Sequence, residues 1–385
     1  MQSGFSAAIL KIRHRHRRYG MPRIRAWSPL LLALSLGSAP AIGAAEELDG
    51  SLQNPGFAER HPDNRLPSTA IDTATLPNIV IQTETPDTAP LPYYRLAPDT
   101  YFLYGNIAQV NERNRGFNGN AGFVVTDEGV VVIDSLGTPE LGRRLIATIR
   151  SVTDRPIRYL ILTHSHPDHA YGAAAFRELA DEVTVIGHPG ILEYLGTPVL
   201  QESADYRRDI LGADMRGFEG VAPDVLIDRP RLGTPYSLEL GDKRFDIYNA
   251  GKHHSYGDLV VHQSAEDILW ISDLAFNQRT TFMGDGDSMQ AIEGQDWLLE
   301  NFAEASLMVP GHGSAQTAPF PMVEKTRAYI QRLRDDMAAA IDNGLTLSEA
   351  LEQSHFPDWA DVPLYEENHR RNANFVYLEM EMALF

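Results

Sequence analysis

Apolar positions along this chain fall in short runs whose period switches between that of strands and that of helices. Residues 122–126 and 130–134 are continuous apolar stretches around Asp127-Glu128-Gly129, the pattern of a β-hairpin with an acidic glycine turn. Residues 100–110 alternate and predict a strand ahead of it. Helical spacing follows over 139–151, a strand over 157–162, a helix over 170–179 and a strand over 183–186. The second half repeats the strand pattern at 236–240, 244–248, 259–262 and 268–271. Such alternation predicts an α/β layered fold. Past Gly313 the chain turns helical, with Met322, Ile330, Leu333, Met337 and Ile341 on one stripe of 321–341. Thr346 and Glu349 are spaced as a capping box for the next helix, and 366–385 reads as the last one. His369, Arg370 and Arg371 are assigned to its polar face.

The pattern also divides the chain. Residues 1–45 run from basic (11–25) to apolar (30–36) to small residues ending at Ala44-Ala45, the order of a secretory signal peptide. Its start is Met1 or Met21, and its apolar core is too short to span a bilayer. Residues 46–93 are rich in Pro, Thr, Asp and Asn and read as an extended linker or arm, with 78–82 able to form an edge strand. A catalytic domain is expected over 94–313 and a helical extension over 314–385. Residues 190–235 exceed a plain connection. Glu202, Asp205, Arg207, Arg208 and Asp209 lie there at helical spacing. They form either a lid, with Tyr206 and Phe218 as pocket residues, or a solvated surface helix.

Charge and cysteine content narrow the chemistry. The formal charge is -19, and the seven Lys and Arg of residues 1–45 meet no acid there, so the remainder carries -26. A surface that acidic repels phosphate backbones, which excludes nucleic acid as a partner and points to a small-molecule substrate. The chain has no cysteine. Disulfides and thiolate chemistry are ruled out, and any metal must be held by nitrogen and oxygen.

The densest chemistry is Leu162-Thr163-His164-Ser165-His166-Pro167-Asp168-His169, at the end of an apolar strand. Neutral imidazole and carboxylate suit a borderline cation such as Zn²⁺. His164 and His166, two apart on extended backbone, point the same way and can share one metal. Asp168 and His169, past the bend at Pro167, can serve a second.

His-x-His-x-Asp-His after a strand resembles the signature of the metallo-β-lactamase superfamily, and the likeness extends in order over 101–313. The resemblance implies an αββα sandwich of two mixed β-sheets with outer helices. In 250–258 it aligns His254 as a ligand, with His253 the neighbouring alternative. Ser272-Asp273-Leu274-Ala275-Phe276 is similar to the family's Gly-Asp-x-x-Phe element, whose aspartate bridges two metals. Gly311-His312-Gly313 supplies the last ligand. Asp134, at a strand end, either supports a ligand histidine or is a turn carboxylate. The helical pattern after Gly313 resembles exported members associated with quinoprotein and sulfur-oxidation systems.

The resemblance therefore implies His164, His166 and His254 on one zinc, Asp168, His169 and His312 on the other, and Asp273 between them. Two such cations can share a hydroxide at neutral pH. Asp168 is the catalytic candidate, orienting that nucleophile. The expected activity is hydrolysis of a β-lactam, lactone, thioester or related ester such as a sulfate ester, by an exported, periplasmic or secreted enzyme. Two alternatives belong to other classes. One is an iron-dependent oxidoreductase of sulfur compounds, and the other a non-enzymatic metal-binding accessory of a periplasmic redox pathway.

Overall fold

The computed structural model describes residues 51–53, 90–180 and 182–384. The leader expected over 1–45 and the strand expected at 78–82 lie outside these residues. One mixed sheet follows chain order through β1 (Ser51–Gln53), β2 (Tyr93–Ala97), β3 (Thr100–Leu103), β4 (Ala121–Val125), β5 (Val130–Ile133), β6 (Ile157–Leu162), β7 (Thr184–Gly187) and β8 (Val225–Leu226). Strands β2 to β5 pair antiparallel, and β5 to β8 pair parallel. The second sheet contains β9 (Tyr236–Leu240), β10 (Lys243–Gly251), β11 (Asp258–Gln263), β12 (Ile268–Ser272) and β13 (Leu307–Pro310), in the order β13-β12-β11-β10-β9. Here only β12 and β13 pair parallel.

Side-chain parity shows how the sheets stack. On β5, Val130 and Val132 join an outer core with helix α1 (Pro139–Val152), whereas Val131 and Ile133 join the core between the sheets. On β12, Ile268 and Trp270 enter that same inter-sheet core, while Leu269 and Ile271 face a fourth layer with Leu298 and Met322. Strands buried on both faces read as unbroken apolar runs, which is why the sequence pattern was so clear. Each large side chain buried this way contributes roughly 1.5–3 kcal/mol. Gly122 makes room for the inter-sheet tryptophan: a Cβ there would lie 2.1 Å from the Trp270 ring. The result is the αββα sandwich expected.

Helices cover both faces. Thr138 caps α1 by accepting from Leu141 N at 3.1 Å, with Pro139 at the first turn. The helix expected over 170–179 is split into α2 (Pro167–Ala170) and α3 (Ala173–Arg177), because Gly172 N turns aside to donate to Leu136 O. The strand expected over 100–110 stops at Leu103, where an asparagine-rich loop begins: Asn111 and Asn114 bond its backbone from within. Residues 190–211 form α4 (Gly190–Leu195) and α5 (Pro198–Leu211). Helix α6 (Ser288–Asn301) is absent from the sequence reading.

Beyond Gly313 lie α7 (Pro321–Asp342), α8 (Leu347–Gln353) and α9 (Tyr365–Met382), with the Thr346–Glu349 capping box in place. They share a core with Ala291 and Ile292 of α6. His369 corrects the expectation for the last helix. It is buried at 5% exposure, its ring nitrogens contacting Tyr329 Oη and Ser354 Oγ, and burial lowers its pKa to about 4. Its register with Tyr365, Asn372 and Val376 puts it on the buried stripe, not the polar one. No helix among the described residues is long and apolar enough to cross a membrane.

Candidate metal centre and the cavity above it

Each candidate ligand follows a strand end or a tight loop. β6 delivers His164, β12 delivers Asp273, β13 delivers His312, and the β10–β11 connection delivers His254. The structure brings all seven predicted residues together in two groups. Ligand atoms of His164, His166, His254 and Asp273 all lie within 4.8 Å of one another, as do those of Asp168, His169 and His312. Asp273 stands between the groups. Its Oδ2 is 3.1 Å from His254 Nε2 and 3.3 Å from His312 Nε2, and its Oδ1 is 3.4 Å from His169 Nε2. His253 turns the other way, its Nε2 donating to Leu274 O at 2.9 Å, so His254 is the residue in the cluster.

The surroundings fix the rings. Asp134 Oδ2 accepts from His169 Nδ1 at 2.9 Å, and Asp134 Oδ1 accepts from Thr163 N at 2.8 Å. Asp134 therefore supports a histidine of the cluster. The hydroxyls of Thr163 and Ser272 lie 2.7 Å apart and both approach His164 Nδ1. Asp134 and Ser272 hold φ of 60° and 45°, strained values for non-glycine residues that cluster at functional sites. Phe276 stacks on His312 at 5.6 Å.

Two of the buried donor atoms in the cluster have no hydrogen-bond partner. Burial pushes the His164 imidazolium well below the usual range, so its Nε2 lone pair is available, and that buried atom has no hydrogen-bond partner. Asp273 Oδ1 is likewise buried and without a hydrogen-bond partner. Burial opposes charge on Asp273 and Asp168, but the surrounding histidines outweigh it and hold both carboxyls ionised. Burial also opposes charge on His169, yet Asp273, Asp134 and Asp168 outweigh it and hold that imidazole at about 9. Buried donors without hydrogen-bond partners in an all-nitrogen-and-oxygen set fit metal binding, and each of the two groups could hold an ion.

Gly311 is required by this geometry. A Cβ there would lie 1.9 Å from Asp273 Oδ1 and 2.9 Å from His169 Cε1. Gly311→Ala is expected to weaken metal binding tenfold or more, on the order of a lost supporting contact. Chelator competition against the wild-type chain measures this, and equal affinities would show that the loop yields.

A cavity of about 260 Å³ opens above the cluster. His166, Asp168, His254, Asp273 and His312 line it, with Asn118, Arg207, Arg279, Phe282 and Asp285 among the other lining residues. Asn118 Nδ2 donates to Asp168 Oδ2 at 2.8 Å. Arg279 Nη1 lies 2.9 Å from His312 Nδ1. Helix α5 contributes Val199, Ser203 and Arg207, and α9 contributes Asn368 and Arg371. The two pocket candidates from the insertion are corrected: Tyr206 is 54% exposed, and Phe218 packs on Tyr171 at 4.1 Å. Neither lines the cavity, because α5 presents its Arg207 side inward.

The sequence reading missed Asn118, Asn120, Arg279 and Asp285. Asn120 pins the His312 loop, its Nδ2 donating to Pro310 O and Gly313 O at 2.8 and 2.9 Å. The asparagine run before β4 and the polar stretch after Phe276 were the available signals.

Comparison with known proteins agrees with this geometry. The chain is 37% identical over 259 residues to a linear primary-alkylsulfatase of Pseudomonas sp. (strain ATCC 19151), covering 60% of this chain and 48% of that protein. The match thus spans about half the length of that relative. A metallo-beta-lactamase type 2 of Bacillus sp. (strain 170) is 25% identical over 205 residues, covering 51% of this chain and 69% of that one. In fold, the chain is similar to the stereoselective inverting sec-alkylsulfatase Pisa1 from Pseudomonas sp., with a TM-score of 0.59 at 18% identity, covering 86% of this chain and 63% of that one. The family model of the metallo-beta-lactamase superfamily matches residues 114–312. With its sandwich, its ordered His and Asp residues and this match over half its length, the chain belongs to the metallo-β-lactamase superfamily.

Proposed function

We propose that this chain is an exported binuclear zinc hydrolase acting on esters with a compact anionic group, sulfate esters first among them. The observation that carries this reading is the two donor groups meeting at Asp273, beneath a cavity walled by two buried arginines, Arg207 and Arg279. His164, His166, His254 and Asp273 would hold one ion, and Asp168, His169 and His312 the other. Bound cations supply Lewis acidity and bring the pKa of water towards neutrality. Zinc suits this histidine-rich set, since hydrolysis requires no redox change.

The chain's own residues do the rest. Arg207 and Arg279 offer planar forks of donors suited to an anion, which would offset the burial that lowers the pKa of both guanidiniums. Val110, Val199 and Phe282 line the same cavity and suit an organic chain. Asp168, ionised and steered by Asn118, is placed to orient the attacking water and take its proton. Overall, water and the ester give an alcohol and hydrogen sulfate. The likeness to a linear primary-alkylsulfatase supports this substrate class, and the basic, apolar and small-residue order of 1–45 supports export.

Elemental analysis of the purified chain, with a screen of primary and secondary alkyl sulfates, nitrocefin and lactones, tests the reading. Close to two zinc ions per chain with sulfate release is the expected result. Turnover of nitrocefin alone would keep the hydrolase and replace the substrate. Iron without hydrolysis would shift the reading to a sulfur-compound oxidoreductase, and a zinc-loaded but inert chain to an accessory metal-binding protein.

A further inference from the structure

Three of the clustered histidines have polar supports close by: Thr163 and Ser272 for His164, Asp134 for His169, and Arg279 for His312. His166 has none of these. It is the last extended residue before α2, with φ -63° and ψ 146°, and around its ring lie His164, His254 and Phe282. Those contacts pack the imidazole without choosing which nitrogen faces the centre. The polar contact recorded for its ring among the described residues is Asp285, whose Oδ2 lies 3.0 Å from His166 Nε2. With Nε2 donating to a carboxylate, Nδ1 is the nitrogen left with a lone pair.

Asp285 is itself held from two sides. On one side, Asn368 and Asn372, one turn apart on α9, grip the loop ahead of it. Asn368 Nδ2 donates to Thr280 O at 3.1 Å and Asn372 Nδ2 to Thr281 O at 2.8 Å, while Asn372 Oδ1 accepts from Met283 N at 3.0 Å. On the other side, Asp287 caps α6 by accepting from Met289 N and Gln290 N, and its own N–H donates to Lys252 O at 2.8 Å. A surface ion pair would need no such anchoring. Asp285 lines the cavity with its side chain 26% exposed, so its carboxylate is fixed at the cavity wall.

We propose that Asp285 is the positioning residue that fixes His166 with Nδ1 towards the metal centre, and that α9 holds Asp285 in place through Asn368 and Asn372. The inference rests on the binuclear reading and adds to it a residue outside every motif that carries the ligands. A carboxylate behind a ligand imidazole fixes its tautomer and raises its basicity, and loss of such a partner typically costs 10–100-fold in metal affinity.

The test uses the metal-free full chain as wild type, Asp285→Asn and Asp285→Glu, titrated with Co²⁺ under chelator competition while the visible absorption of the bound ion is followed. In Asp285→Asn, one ion should bind about 10–100-fold more weakly, with an altered spectrum, and the other should bind as in the wild type. Asp285→Glu keeps the carboxylate and should recover part of that loss. Identical affinities and spectra in Asp285→Asn and wild type would overturn the proposal. So would an equal weakening of both ions that Glu does not relieve, together with a lower melting temperature of the metal-free protein, since that describes a general structural role. A wild-type chain that takes up no cobalt at all would overturn the binuclear reading itself.

Discussion

Asp273→Ala is expected to cut metal affinity at both positions by at least about 100-fold and to reduce turnover by about a thousandfold or more. The argument is geometric. Its carboxylate is 3% exposed and faces His254 of one donor group and His312 and His169 of the other at 3.1 to 3.4 Å. Removing it takes one full negative charge from a buried site that, on the proposed binuclear reading, would balance two divalent cations. The desolvated interior magnifies that loss well beyond its value in water. The fold should survive, because the inter-sheet core lies beneath the strand ends that carry the cluster. Zinc content after dialysis at micromolar free metal, measured beside the melting temperature of the metal-free protein, checks both halves. Retention of two tightly held ions would sink the bridging assignment.

Asp168→Ala should behave differently. It belongs to the group of three, and its removal leaves His164, His166, His254 and Asp273 complete. Close to one tightly bound ion per chain is therefore expected, with turnover lowered about 10²–10⁴-fold, the usual worth of a positioned acid–base group. Asn118 Nδ2 loses its acceptor at the cavity floor, a destabilisation on the order of 1–3 kcal/mol. Asp168→Asn restores an acceptor for Asn118 without restoring the charge. Stability recovered in Asn but not turnover would separate the two roles. Full activity in either variant would remove Asp168 from the mechanism.

The layered fold and the seven clustered residues were legible because their determinants are local. A strand buried on both faces announces itself as an apolar run, and each ligand sits within a few residues of one. What surrounds them was hidden for one recurring reason. Arg207 reads as one charge among Arg208 and Asp209, yet it shares a stripe with Ala204 and Leu211 and is 4% exposed. His369 reads as a neighbour of Arg370 and Arg371, yet it is packed between Tyr329, Phe356 and Tyr365. A polar residue on a buried stripe weakens the apolar period that would reveal the stripe. Helix α6 shows the same effect: Ser288, Gly294 and Gln295 are among its buried positions, so its face lacks apolar contrast. Asp285 and Arg279 lie on irregular backbone, where no period operates. The partners that hold their loop are on α9, far along the chain.

The placement of α9 divides labour along the chain. Every clustered donor lies at or before His312, whereas Asn368 and Arg371 of the cavity wall come from the last helix. Chains that share the donor signature can thus diverge in selectivity through substitutions that leave the signature untouched. For redesign, the accessible handle on substrate preference is the inward face of α9. Changes at Arg371, exposed at the rim, would retune what enters while leaving the clustered donors below untouched.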